Sequence, residues 1–348
     1  MLFELYEIPF DTRTMHVFLG LFVGLIFGVA AQISRFCLRR AIAGAPEERK
    51  SAGAVWLTAL TVAIAGFAIA SATGLIAIED HRLLTTDLPL LALIVGGLAF
   101  GAGMVLTRGC MSRLTVLGAT GNLRALSVLL VFAVAAHAAL KGVLSPVREA
   151  LTAVTIPSPL ASLHEVPFGE FLALAAVSAF AITLIVPAKA NFSHLALGAL
   201  IGLVPVLGWV GTSVLLMDEF DPLPVQSAAF TLPLADTLFW SIASSAIPAG
   251  FGVGFVGGVL GGSFLSAAAR GELELQSFES PSQTLRYALG AVMMGLGGVL
   301  AGGCTVGAGL SGVSMLSVSA IIALGSIVVG AYAMNALLSR PIRTLQAA

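Results

Sequence analysis

Three cysteines are the residues here with chemistry to offer: Cys37, Cys110 and Cys304. A thiol can attack as a nucleophile, ligate a metal, or donate a weak S–H hydrogen bond to a soft acceptor. Metal ligation is disfavoured. The cysteines lie 73 and 194 residues apart, and no histidine or carboxylate clusters with them in sequence. Their scarcity and apolar surroundings argue against a disulfide scaffold. An isolated membrane cysteine is usually a small hydrophobe. Two of these are not isolated cases. GAGMVLTRGC, ending at Cys110, and GLGGVLAGGC, ending at Cys304, read as copies of one another. Cys37 has less of this support, because its counterpart in the second copy falls near Leu215.

The elements that must carry these thiols follow from composition. Of the 348 residues, 58% are hydrophobic and only 10% are charged, with a mean hydropathy of +1.01. Soluble domains carry about 25% charged residues. So few charges cannot cover a water-facing surface, so the chain is an all-α integral membrane protein, and nucleic-acid binding, coiled coil and disorder are excluded. Met1–Arg13 holds Glu4, Glu7 and Asp11 rather than a basic segment, so no signal peptide is expected. Charge-free runs long enough for a membrane helix are Thr14–Ser34, Ser51–Ile78, Leu88–Thr107, Ala125–Leu140, Phe171–Ala188, Ala190–Met217, Thr237–Ala269 and Tyr287–Ser339. The last is too long for one helix and is broken by the glycine-dense stretch Gly302–Gly312. Nine spans are therefore expected, with a kink at Pro248 and Gly250 in the seventh.

Basic residues set the orientation. With the N-terminus outside, Arg35, Arg39, Arg40, Arg49, Lys50, Arg108, Arg113, Arg124, Lys189, Arg270, Arg286, Arg340 and Arg343 fall inside. Only Arg13, Arg82, Lys141 and Arg148 fall outside. Asp218, Glu219 and Asp221 fall outside as well. The expected topology is N-out and C-in. The two Gly-Cys copies then run in opposite directions, which is the inverted repeat of many transporters. One polytopic domain, 1–348, would comprise repeat one (15–140, four spans), a linker span (168–188) and repeat two (190–339, four spans). Gly20-x3-Gly24 would match Gly198-x3-Gly202. Irregular backbone is tolerated at membrane depth only where protein or a water-filled cavity shields it. Two short re-entrant loops would therefore meet near the midplane, with the thiols at the narrowest point.

Arg108 and Arg113 flank Cys110 and form an electropositive inner mouth or a topology anchor. His16, His137 and His194 are single histidines near span ends. No carboxylate falls within an expected span, so no proton- or sodium-coupling residue stands out.

QISRFC (Gln32–Cys37), LTRGCMSR (Leu106–Arg113) and AGGCTVGAGLSG (Ala301–Gly312) resemble the three cysteine motifs of the YeeE/YedE sulfur-transport family, in the same order and across most of the chain. The resemblance implies a helical bundle with inverted pseudo-symmetry, a place in the cytoplasmic membrane and thiosulfate as substrate. It implies a path marked by Cys37, Cys110 and Cys304, with Gly109, Met111, Gly303 and Thr305 beside them. It implies no cofactor. It also implies a small cytoplasmic sulfur-carrier partner of the TusA type; other members are linked to selenium. The chemistry agrees. Thiosulfate is a dianion with a soft terminal sulfur, and a row of neutral thiols can pass it on without holding it tightly. The competing reading is a membrane sulfurtransferase or thiol-redox enzyme carrying a persulfide on Cys110 or Cys304. No base stands near either cysteine in sequence. A third, a subunit that only anchors a partner, is at odds with glycine-rich cores at matched positions in both copies.

Overall fold

Runs of apolar residues 17 to 27 long become the helices of a bundle, because lipid offers the backbone no hydrogen-bond partner and the helix satisfies its own. The computed structural model describes residues 11–76, 81, 83–188, 190–216 and 223–339. In chain order come α1 (Thr12–Ser34), α2 (Leu38–Ala43), α3 (Pro46–Ala72), α4 (Leu90–Leu106), α5 (Met111–Ala119), α6 (Leu123–Lys141), α7 (Ser145–Thr152), α8 (Gly169–Ala188), α9 (Phe192–Val210), α10 (Thr231–Ile242), α11 (Phe251–Ala269), α12 (Pro281–Leu300) and α13 (Val318–Ser339). Among the described residues the only sheet is one short antiparallel pair, β1 (Asp87–Leu88) on β2 (Ile156–Pro157). The charges Glu4, Glu7, Arg82, Lys189, Asp218, Glu219, Asp221, Arg340 and Arg343 lie outside the described residues.

Eight segments among the described residues are long and apolar enough to cross a membrane. The remaining expected span, the first part of Tyr287–Ser339, is helical too, as α12, but Gln283 and Arg286 in its first turns lower its hydropathy. The expected span Thr237–Ala269 is not one kinked helix. It divides into α10 and α11 across residues 243–250, where Pro248 lacks an N–H and drives Ile247 out of the helical region. One consequence runs against the sequence expectation: α10 reaches back to include Asp236, which lies near Lys141 and His137.

The outer surface is apolar. On α8 only Gly169 and Ala181 are buried, while Phe171, Leu172, Phe180, Ile182 and Val186 are exposed. In water such a helix would aggregate; against acyl chains it is at home.

Small residues set the interior. Lipid tails are as apolar as leucine, so helices associate by close packing. A Cβ on Gly24 of α1 would lie 2.2 Å from the Phe255 carbonyl oxygen, and one on Gly258 of α11 would lie 2.2 Å from that of Leu21. The two helices touch backbone to backbone along their length, in parallel. α3 and α9 do the same, with Gly198 over Val55 and Gly202 over Ala59. α4 packs antiparallel on α12 and parallel on α13, and α6 packs on α12. The turn 270–280 is stitched to the end of α1 by Gln32 Nε2 donating to Glu272 at 3.1 Å. Asn122 Nδ2 donates to Gln276 at 2.8 Å, tying the same turn to the start of α6. With these directions, α1 begins and α13 ends at opposite ends of the bundle.

Candidate thiol site

Each cysteine is presented by the same local geometry. A long helix ends in a residue with positive φ: Arg35 (52°) after α1, Arg108 (57°) after α4, Gly302 (71°) shortly after α12. One residue follows, and then the cysteine. The left-handed residue turns the chain back on itself, as at many helix ends. Cys37 is the N-cap of α2 and Cys110 the N-cap of α5; Cys304 precedes the wide helical turn Gly307–Gly312. An arginine in the left-handed region costs roughly 1–3 kcal/mol, and this fold bears that cost twice beside thiols.

The three thiols are free and buried, with exposures of 2%, 1% and 0%. Cys37 Sγ lies 3.5 Å from Cys110 Sγ, although 73 residues separate them. Cys110 Sγ also lies 3.3 Å from Ser112 Oγ, and the Thr305 hydroxyl faces it. Thr305 adjoins Cys304, whose sulfur accepts the Gly307 N–H at 3.3 Å. The result is a continuous soft, weakly polar line: Cys37, Cys110 with Ser112, Thr305, Cys304.

The neighbouring residues hold this line in place. Thr107 Oγ1 lies 3.1 Å from the Gly109 carbonyl oxygen and ties down the turn before Cys110. Met111 is fully buried in the core behind Cys110. A Cβ on Gly303 would meet the Ala308 backbone nitrogen at 2.7 Å. The tight approach at Gly303 is therefore within its own loop, not across to the other copy. Arg108 is exposed and lines a cavity of about 130 Å³ with Thr107, Asn122, Arg124 and Tyr287. Arg113 is not in that lining; it sits with Arg35 and Arg40 within electrostatic reach of Cys37 and Cys110. A second cavity, about 170 Å³, is lined by Arg13, His16, Gln226 and Gly250 among others. His16 Nδ1 bonds the Thr12 carbonyl at 2.9 Å, and His137 stacks on Phe239 at 3.8 Å.

Leu215, expected opposite Cys37, is instead 42% exposed in the turn Gly211–Leu215. The buried residue that heads a short helix in that part of the chain is Phe230, the N-cap of α10. Its backbone N–H faces Cys304, and its ring packs on Phe27 and Phe255. A longer connection after α9 carries the chain past Leu215, and no motif marks its end. Ser112 and Arg39 also sit at the site; both lie within a few residues of a cysteine, which was the available signal.

Apolar membrane-length helices around a centre that buries three thiols define a multi-pass membrane protein. Residues 33–333 match the sulphur-transport family, and the chain belongs to that family. It is 28% identical to the thiosulfate transporter TsuA of Spirochaeta thermophila, over 93% of this chain and 99% of that one. It is 24% identical to the thiosulfate transporter TsuA of Escherichia coli, over 90% and 92% respectively.

Proposed function

We propose that the protein is a transporter that imports thiosulfate, or a closely related sulfur anion, across the cytoplasmic membrane along a path lined by Cys37, Cys110 and Cys304. The single observation that carries this reading is the line of buried thiols, with Cys37 and Cys110 at 3.5 Å and Thr305 between Cys110 and Cys304. Neutral thiols offer weak donors to a soft terminal sulfur and do not repel a dianion. Gly109 and Gly303 keep the turns narrow, Met111 backs Cys110, and Arg108 and Arg113 supply positive potential at the inner mouth. The names of the relatives support transport over a persulfide-carrying enzyme.

The same reading includes two inverted repeats, 15–140 and 190–339, around a linker span, 168–188. Support comes from helix pairings that exchange when the halves are swapped. α1 on α11 corresponds to α3 on α9, α4 on α13 corresponds to α6 on α12, and α1–α9 and α4–α12 map onto themselves. Gly20 and Gly24 press on α11 as Gly198 and Gly202 press on α3. The basic-residue bias supports N-out and C-in. A small cytoplasmic sulfur-carrier protein of the TusA type would meet the Arg-rich inner face.

The test is uptake of labelled thiosulfate, with sulfate and selenite as competitors, in cells lacking other importers, alongside a C-terminal topology reporter. Saturable uptake competed weakly by sulfate is expected, with the reporter inside. Thiosulfate uptake no higher than in empty cells overturns the substrate, and an outside reporter overturns the orientation.

A further inference from the structure

A carboxylate inside a membrane bundle is expensive and is kept there chiefly for ion or proton pathways. Most carboxylates of this protein avoid that cost. Among the described residues, Glu47, Glu48 and Glu170 stand in the first turns of α3 and α8. Glu149 sits on α7, which buries no residue, and the others but one lie between the helices.

Asp236 is the exception. It is half-buried in the middle of α10, and among the described residues its carboxylate takes part in no hydrogen bond or ion pair. The elements packed on α10 are α6, α11 and α12. α11 has no charged or titratable residue. Arg124 of α6, and Arg286 and Tyr287 of α12, stand at the far ends of their helices. What faces Asp236 is His137 and Lys141 of α6. The His137 ring lies flat on Phe239, one turn along from Asp236, with centroids 3.8 Å apart, and its Nδ1 is enclosed without a hydrogen-bond partner. Lys141 is exposed at the end of α6.

The same helix touches the thiol line. Its N-cap, Phe230, turns its backbone N–H toward Cys304, and Asp236 follows about 9 Å further along the helix axis. Import of a dianion adds a demand, because its two charges move against an inside-negative potential. A proton carried the same way cancels one of them.

We infer that Asp236, with His137 beside it, is a proton-binding site and that the protein is a proton–anion symporter. The inference rests on the proposed import of thiosulfate and supplies its driving force. The ionised carboxylate takes a proton from the outer water and forms an O–H bond, with His137 as the neighbour that relays it. That bond breaks when the proton is released to the inner water, so the carboxylate is restored in each cycle and no other reactant is consumed. Protonation also ends the attraction of Asp236 for His137 and Lys141 across the α6–α10 contact, and α10 carries that change to Phe230 and Cys304. A metal cation is disfavoured here, because one carboxylate beside two basic side chains offers too few oxygens.

The experiment uses purified full-length protein in liposomes with the membrane potential clamped: wild type, Asp236→Asn, Asp236→Glu and His137→Gln. Labelled thiosulfate reads two quantities, exchange against unlabelled thiosulfate without any gradient, and steady accumulation under an acid-outside pH gradient. With one proton per ion, each pH unit should raise wild-type accumulation about tenfold. Asp236→Asn should lose that dependence, judged against its own exchange rate so that a smaller amount of folded protein does not count. Asp236→Glu should keep it, and His137→Gln should reach its accumulation more slowly. Wild-type exchange with accumulation that ignores the pH gradient, or follows a sodium gradient instead, overturns the symport and leaves import standing. An Asp236→Asn protein that accumulates as the wild type does overturns Asp236 as the site. A wild type without exchange overturns the import reading, and the symport with it.

Discussion

The contact between Cys37 and Cys110 makes a quantitative prediction about the pair. At 3.5 Å the two sulfurs belong to one hydrogen-bonded group with Ser112, whereas Cys304 bonds the Gly307 amide in a separate loop. Cys→Ala at either of the first two removes one weak S–H donor, about 1 kcal/mol, and one buried sulfur, roughly another 1 kcal/mol of packing. Each variant should therefore remain folded and reach the membrane. Uptake reports a different quantity. If the thiols act where the ion is most desolvated, each loss raises the barrier, and every 1.4 kcal/mol is about tenfold in rate. Removing Cys37 also strips Cys110 of a partner, so the second removal has less left to lose. The Cys37→Ala/Cys110→Ala double variant should import faster than the product of the single effects requires, by a coupling of at least about 0.5 kcal/mol, or a factor of two to three. Cys37→Ala/Cys304→Ala should be additive within about 0.5 kcal/mol. The assay is initial-rate uptake of labelled thiosulfate, normalised to membrane protein, for three single and two double variants, with Ser variants beside them. Ser should rescue poorly, because its harder hydroxyl suits the oxygens rather than the terminal sulfur. Additivity in both cycles would refute the claim that the pair acts as a unit. Wild-type rates in all three single Ala variants would reduce the cysteines to packing residues.

Three further outcomes are expected. Gly24→Ala places a methyl 2.2 Å from the Phe255 carbonyl oxygen and must force α1 from α11, so thermal unfolding in detergent should show a loss of about 1–3 kcal/mol; an unchanged midpoint refutes the tight α1–α11 contact. Gly303→Leu should abolish uptake at normal membrane levels by displacing Ala308 and with it the loop that holds Cys304; normal uptake means the loop tolerates a side chain. The Arg270 hydrogen bond holds the Glu272 carboxyl below the usual carboxylate range, so its stabilising effect is present above that range and lost as pH falls through the lowered value. Since Glu272 is exposed, Glu272→Gln should shift the thermal midpoint only slightly at neutral pH and remove that small acid-side loss; a large neutral-pH shift would contradict this.

What the sequence makes legible here is what local chemistry dictates. Charge-free runs foretell long helices, since a span of about 20 apolar residues has no other stable form in lipid. The Gly-Cys pairs foretell buried turns, because glycine lets a chain leave a helix and lets backbones approach closely. Even so, the structure puts positive φ on Arg35 and Arg108 as well as on Gly302, a detail no propensity would assign. Pro248 and Gly250 are visible as an interruption, but whether such a stretch kinks one helix or separates two depends on what packs around residues 243–250. The thiol centre is the part that distance along the chain conceals. Cys37 lacks a cysteine counterpart in the second half, and so looks secondary by repeat logic, yet as the N-cap of α2 it lies against Cys110, the N-cap of α5. Arg39 looks like one of several basic residues that anchor topology. Only the packed bundle reveals that its Nε is enclosed near the thiols without an acceptor.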